Sequence, residues 1–351
     1  MGKRSGFFLA IAAITMVLLI WGNPITRVRS AFFPEITAIT PQAPSDISLS
    51  VDQELLLDHV RRMSQPRFTP AQKQPVRSYI TQQLTSYGLT PIIQNYDNPL
   101  TGQSATGGVN IVTELAGSDP AAGVILLGAH YDTHVGSPGA DDNGSAIATL
   151  LEAARLFSTA KNNSNSNNPS PFPATLKLVF FDQEEQQPDG SGLLGSLAFT
   201  QLSNNTADLR GAVILDMVGY ACYVPGCQQY PDRLPPVQTL PETGEFLAVL
   251  GLSTHTELIG AFIGSAQTSL PLVLSLPIPE ATLRFFPDLL RSDHAPFWER
   301  GIPAVFVTDT ANFRNPHYHT ATDTPDTLDP TFFKGSAQHI VNAVATLISQ
   351  S

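Results

Sequence analysis

Short apolar runs alternate with amphipathic stretches along most of this chain, and the residues that follow those runs are often acids or histidines. Leu55, Leu56, Val60 and Met63 recur as one face of a helix after Asp52, and a second helix is expected from about Pro75 to Tyr87, stopped by Gly88. Strands are predicted at 90–95, 109–115 (VNIVTEL) and 123–129 (GVILLGA), then an amphipathic helix from Ile147 to Phe157. Further strands are expected at 174–181 (ATLKLVFF), 211–215 and 303–308, with helices near 193–202, 244–252, 293–300 and 331–349. The stretch 256–290 carries no pattern that assigns it. Apolar strands alternating with helices indicate an α/β fold: a central, mostly parallel sheet covered on both faces. Such sheets place their functional groups beyond the C-terminal ends of the strands.

The N-terminus reads differently. Lys3 and Arg4 precede an apolar run from Gly6 to Gly22, broken by Asn23-Pro24. A basic start, an apolar stretch and a breaker mark an export signal, and the run is also near the lower length limit for a membrane anchor. Residues 1–22 are therefore expected to be a signal or anchor that engages the membrane or the export machinery. Residues 23–50, rich in Pro, Ser and Thr, read as a linker, and 51–351 as a single globular domain. That domain is expected outside the cytoplasm, whether periplasmic, secreted or membrane-anchored. Cys222 and Cys227 are the only cysteines. In an exported chain such a close pair favours a local disulfide, with two free thiols or a soft metal site as alternatives.

Composition narrows the function. With 42% apolar and 14% charged residues the chain is an ordinary globular protein, and a net charge of −11 without a basic stripe argues against nucleic acid as partner. Two loops stand out: a polar insert at 161–173 (KNNSNSNNPSPFP), and a Pro-rich stretch at 223–243 that follows Asp216 closely enough to overhang a site there.

The candidate chemistry lies at the ends of the apolar runs. His130 follows ILLGA, and in extended backbone Asp132 points the same way, so its carboxylate can accept the second N–H of a metal-bound imidazole. Asp142 sits in ADDNGS, which opens a helix. Glu184 and Glu185 follow VFFDQ, Asp216 ends AVILD, and His317 and His319 flank Tyr318. Taken singly, each has a plainer reading: a hydrogen-bonded structural histidine, a helix cap, a polar strand end. Together they offer imidazole nitrogen and carboxylate oxygen, the ligands zinc takes. Asp142 would bridge two metals, Glu185 and Asp216 would each serve one, and Glu184, left unligated, would carry protons as general base. His317 and His319 have opposite strand parity, so only one is expected to ligate. His294, in RSDHAPF, lies close to the last strand. No GxSxG, HExxH or P-loop occurs, so those common catalytic plans lack their motifs.

Taken together, GAHYDTH, PGADDNGSA, FFDQEE…GLLGS, LDMVGY, RSDHAPF and YHTATDT resemble the co-catalytic zinc aminopeptidases. This is the family of aminopeptidase Y and bacterial leucyl aminopeptidase and, more distantly, glutamate carboxypeptidase and glutaminyl cyclase. The resemblance covers roughly residues 105–330. It implies a mixed eight-stranded sheet flanked by helices and a metallopeptidase catalytic domain. It also implies two Zn2+ ions, one on His130 and Asp216, the other on Glu185 and His319, with Asp142 between them, Glu184 as base and Asp132 behind His130. One departure is QQPDGSGLLGS after Glu185, longer than the family's usual link. The implied activity is removal of N-terminal residues from peptides with a free N-terminus. A glutaminyl cyclase-like acyltransferase and a non-catalytic, membrane-tethered binding domain of the same fold are the alternatives.

Overall fold

The computed structural model describes residues 49–163, 172–231 and 240–350. The expected signal or anchor at 1–22 and nearly all of the 23–50 linker lie outside the described residues. So do parts of both loops singled out above.

Eight strands form one sheet: β1 (Ile92–Tyr96), β2 (Gly108–Leu115), β3 (Val124–His130), β4 (Thr175–Phe181), β5 (Leu209–Leu215), β6 (Phe246–Leu252), β7 (Leu272–Ile278) and β8 (Ala304–Thr308), in the order β1-β2-β4-β3-β5-β8-β6-β7. The centre is parallel, β4-β3-β5-β8, as the apolar runs predicted. β1 and β2 are antiparallel on one side, and β6 runs antiparallel to β8 while parallel to β7 on the other. The sheet is therefore mixed.

Alternate residues of each central strand feed two cores. Ile125, Leu127, Val213 and Leu215 face the larger one, while Leu126, Ala212 and Ile214 face the smaller. Burial on both faces is why these strands read as unbroken apolar runs. The larger core is closed by α1 (Gln53–Met63), α2 (Pro70–Ser86), α3 (Ala146–Asn162), α5 (Thr256–Gly264) and α7 (Pro330–Ile348). The smaller is closed by Phe199 on α4 (Leu194–Gln201) and by Phe297 and Trp298 on α6 (Ala295–Glu299). Helix starts follow local chemistry. Asp52 accepts the N–H groups of Glu54 and Leu55, and Asp329 those of Thr331 and Phe332. Thr69 and Gln72 form a capping box ahead of α2, which begins at Pro70 and carries Pro75 inside its first turns rather than at its start.

One expectation needs correction. The helix expected at 244–252 is strand β6. FLAVLGL is apolar throughout, so it carries no helical period, and all seven of its residues are buried between β8 and β7. The unassigned stretch 256–290 supplies α5 and β7. Cys222 and Cys227 are joined in a disulfide, as expected, and Cys222 pairs with Gly244 through both backbone hydrogen bonds. Among the described residues no helix is long and apolar enough to cross a membrane.

Candidate metal centre

Three parallel strands deliver four candidate groups to one end of the sheet. His130 ends β3, Glu184 and Glu185 follow β4, and Asp216 follows β5. Asp142 arrives from the turn before α3, and His319 from the long loop between β8 and α7. His130, Glu184 and Asp216 offer ligand atoms within 4.8 Å of one another, as do Asp142, Glu185 and His319. The two sets meet at Asp142. Its Oδ1 lies 3.5 Å from Nε2 of His130 and its Oδ2 lies 3.3 Å from Nε2 of His319. One carboxylate thus turns one oxygen to each imidazole. Nε2 of His130 is also 3.6 Å from Asp216 Oδ1, and Nε2 of His319 is 3.2 Å from Glu185 Oε2.

These separations fit a metal better than direct hydrogen bonding. Zinc holds nitrogen and oxygen at about 2.0–2.2 Å, so neighbouring corners of its tetrahedron lie roughly 3.3–3.6 Å apart. The donor atoms here are spaced like those corners. His130 Nε2 and Glu185 Oε1 are buried and lack a hydrogen-bond partner, an expensive condition unless something else satisfies them. The electrostatics agree. Burial and the nearby charge of Glu185 push the Asp142 carboxyl up to about 7, and burial with Asp216, Glu185 and Asp293 nearby pushes Glu184 well above the usual carboxylate range. Burial opposes protonation of His319, yet Asp142 and Glu185 raise its imidazole to about 9. The protein groups crowd protons and negative charge into one place, where cations would displace the protons and neutralise the acids. Among the described residues no sulfur ligand is near, since both cysteines are paired. Two imidazoles with carboxylates make a donor set suited to zinc.

The chain holds this set rigidly from behind. Asp132 accepts the backbone N–H of Glu184 at 3.1 Å and of Glu185 at 3.2 Å. The hydrogen bond of His130 Nδ1 goes to the Asp132 backbone carbonyl at 3.2 Å, with the carboxylate Oδ1 at 3.5 Å beside it rather than as the expected acceptor. Asp323 accepts the backbone N–H of Asp141 and Asp142 at 2.9 and 3.1 Å, so the capping of that turn comes from a distant loop and not from a neighbouring Ser or Asn. The Asn143 side chain bonds to Leu215 O and Met217 N, clasping the residues on both sides of Asp216. Arg67, fully buried, donates to the carbonyls of Tyr131, Pro138 and Gly139, tying the His130 and Asp142 loops together. Lys73 on α2 pairs with Asp182, just ahead of Glu184. Non-glycine residues at positive φ stand next to or at three of these groups: Gln183 (56°), Met217 (54°) and His319 (58°). Such backbone is costly and persists where its surroundings hold it. The His319 ring lies between Tyr318 and His134, with centroids 3.7 and 4.2 Å away.

The centre opens into a cavity of about 470 Å³. Its far wall is apolar: Phe246, Ala248 and Leu250 of β6, Leu274 and Leu276 of β7, and Phe306 of β8. Gly190 to Leu193, from the long segment after Glu185, line it too, as do Gln228 to Pro231. The Pro-rich stretch therefore does border the site, although 232–239 lie outside the described residues.

All seven residues singled out from the sequence (His130, Asp132, Asp142, Glu184, Glu185, Asp216 and His319) meet at this centre. His134 reaches the centre as well, through its ring stacked on His319, whereas His294 and His317 stand apart from it. His294 is buried with Nε2 at 2.8 Å from Leu289 O, burial lowers its imidazole to about 4, and its ring stacks on Phe306. His317 bonds to Thr322 in an exposed turn. Sequence reasoning missed Arg67 entirely, because a lone arginine in a polar turn carries no signal of burial. Asp293 was also passed over: both its oxygens are buried without a hydrogen-bond partner, and burial raises it to about 7 with Asp132 and Asp216 adding to the rise.

The sequence pattern that defines peptidase family M28 matches residues 110–243 and 276–344. An Escherichia coli (strain K12) protein, YfbL, is 32% identical over 287 residues, covering 78% of this chain and 79% of that one. The probable aminopeptidase YDR415C of Saccharomyces cerevisiae is 28% identical over 232 residues, 62% of this chain and 52% of its own, so the match spans about half of that relative. Among solved structures, the Legionella pneumophila LapA aminopeptidase superposes with a TM-score of 0.61 at 20% identity, covering 90% of this chain and 78% of its own. A zinc aminopeptidase from Bacillus subtilis, BSAP, gives 0.62 at 16% identity over 85% and 95% of the two chains. A Porphyromonas gingivalis glutaminyl cyclase gives 0.58 at 19% identity over 84% and 98%. At these identities the structural likeness establishes the fold.

Proposed function

The chain belongs to peptidase family M28, and from that premise we propose that it is a two-zinc aminopeptidase that removes N-terminal residues from peptides. His130 and Asp216 would hold one ion and Glu185 and His319 the other, with Asp142 shared. The observation that carries this reading is the Asp142 carboxylate, which faces one imidazole with each oxygen at 3.5 and 3.3 Å. When bound, the ions supply Lewis acidity that polarises the scissile carbonyl and acidifies the attacking water.

The chain's own groups do the rest. Glu184 opens to the cavity with its Oε2 3.9 Å from His130 Nε2, close to the centre yet not needed as a ligand. It accepts the proton of the attacking water and returns it to the leaving amine. Asp132 holds the backbone of Glu184 and Glu185 and orients His130. The surrounding acids favour a free α-ammonium, hence chain ends. The apolar wall from β6, β7 and β8 accepts a bulky apolar N-terminal side chain such as leucine or phenylalanine. The Cys222–Cys227 disulfide supports an oxidising, extracytoplasmic setting. Its loop leads into the cavity wall at Gln228.

Release of p-nitroaniline from leucine p-nitroanilide, lost to a chelator and restored by zinc, tests the proposal. Cyclisation of glutaminyl peptides without that release would favour the acyltransferase alternative. Zinc binding with no turnover of either substrate would favour the binding-domain alternative.

A further inference from the structure

Among the described residues Arg291 is the one lysine or arginine that lines the cavity, where it accompanies Asp142, Glu184, Glu185, Asp216 and Asp288. It follows the short turn Pro287–Leu290, between β7 and α6. Its Nη2 donates to Tyr318 Oη at 3.0 Å and its Nη1 to Asn312 Oδ1 at 3.1 Å, while Asp288 Oδ1 lies at a weak 3.5 Å. A guanidinium carries five N–H donors. The Nε–H and a second Nη2 proton have no acceptor among the described residues. Nε and Nη2 form one edge of the planar, partly exposed fork, where a carboxylate would take the Nε–H together with an Nη2 proton that is free or shared with Tyr318 Oη.

Position adds to this. The guanidinium carbon is 6.0 Å from the centroid of the Tyr318 ring, which stacks at 3.7 Å on His319. Arg291 therefore lies no more than about 10 Å from the His319 ring, those two separations laid end to end. An extended peptide advances about 3.3–3.6 Å per residue. A carboxylate in reach of the fork would stand one or two residues past a bond cleaved at the centre. The apolar wall suits the N-terminal side chain, which leaves the cationic corner for the other end of the substrate.

We infer that Arg291 binds the C-terminal carboxylate of short peptides, making dipeptides and tripeptides the preferred substrates. The inference rests on the aminopeptidase reading above and goes on to name the substrate class. An aspartate or glutamate side chain at the second or third residue would offer the same group, so the experiment must separate the two sources.

The test compares kcat/KM for Leu-Gly-Gly, Leu-Gly-Gly-amide and Leu-Asp-Gly-amide in the zinc-loaded wild type, Arg291→Gln and Arg291→Lys. The expected result is a preference for the free acid over its amide of about tenfold, the size of one charge-assisted hydrogen-bonded pair, carried mainly by KM. That ratio falls to near one in Arg291→Gln and is partly kept in Arg291→Lys, which retains charge without the fork. Because the ratio is taken within each variant, a general loss of activity does not imitate the effect. Equal turnover of acid and amide by the wild type overturns the inference alone, as does a preference confined to the aspartyl amide. No turnover of any substrate, including leucine p-nitroanilide, overturns the aminopeptidase reading and the inference with it.

Discussion

Asp132 accepts the backbone N–H of Glu184 at 3.1 Å, so the residue behind the first imidazole also sets the position of the proposed base. The same carboxylate takes the N–H of Glu185, and the loop after β4 is thereby pinned to the end of β3. A single buried acid couples His130, Glu185 and Glu184.

That coupling separates two variants. Glu184→Gln keeps the size of the side chain but cannot take a proton, and is expected to lower kcat by about 10²–10⁴ with zinc content unchanged. Asp132→Asn weakens the hold on His130 and on the backbone of the two glutamates. It should lower zinc affinity or activity by about 10–100-fold. Steady-state kinetics paired with metal analysis would distinguish them. A Glu184→Gln enzyme with normal turnover would remove Glu184 from the proposed chemistry.

The cavity wall makes a prediction about selectivity. Ala248 on β6 faces the cavity between Phe246 and Leu250. Ala248→Phe fills that space and should shift preference from leucine toward alanine at the N-terminus. Each methylene's worth of lost pocket is about 1–3 kcal/mol, so the shift should be at least about 10-fold in relative kcat/KM. Profiling N-terminal amino-acid amides reads the shift. An unchanged profile would place the side-chain pocket elsewhere.

His59 predicts a pH dependence of stability. It lies on the buried face of α1 with Nδ1 2.6 Å from Tyr79 Oη, and burial lowers its imidazole to about 4. The unfolded chain binds the proton near pH 6.5 and the folded chain only near 4, so acidification favours unfolding across that window. Stability from this group is complete above about pH 6.5. It should fall by about 2 kcal/mol between pH 7 and pH 5. Denaturant titrations of wild type and His59→Gln isolate the effect: the difference between their pH slopes carries it. Identical slopes would show that His59 titrates normally.

The sequence made the centre more legible than its supports. His130, Glu185 and Asp216 could be read because each follows a run buried on both faces, where an acid or imidazole needs a reason to be. Strand β6 was misread because a uniformly apolar stretch of seven residues carries no period to separate helix from strand. β7 was missed for a related cause. It lies at the sheet edge, and most of its residues are only half-buried, so its pattern is mixed. Arg67 and Asp323 act through backbone carbonyls and N–H groups of residues far along the chain. No local pattern announces such contacts.

The disulfide gives a smaller and independent test. Cys222 and Cys227 are five positions apart, so the closed loop is short and its entropic contribution is about 2 kcal/mol. The double variant Cys222→Ala, Cys227→Ala should lose that much in denaturant titration. It should also raise KM, because Gln228 to Pro231, just past the bridge, line the cavity. A loss of stability with KM unchanged would confine the bridge to a structural role.

The decisive quantity is the number of zinc ions held per chain by protein reconstituted and freed of loose metal. Wild type is expected to hold two and Asp142→Ala one or fewer, because both imidazoles face the one carboxylate that variant removes. A wild-type protein that hydrolyses leucine p-nitroanilide with a single zinc, or an Asp142→Ala variant that still holds two, would contradict the shared-carboxylate centre.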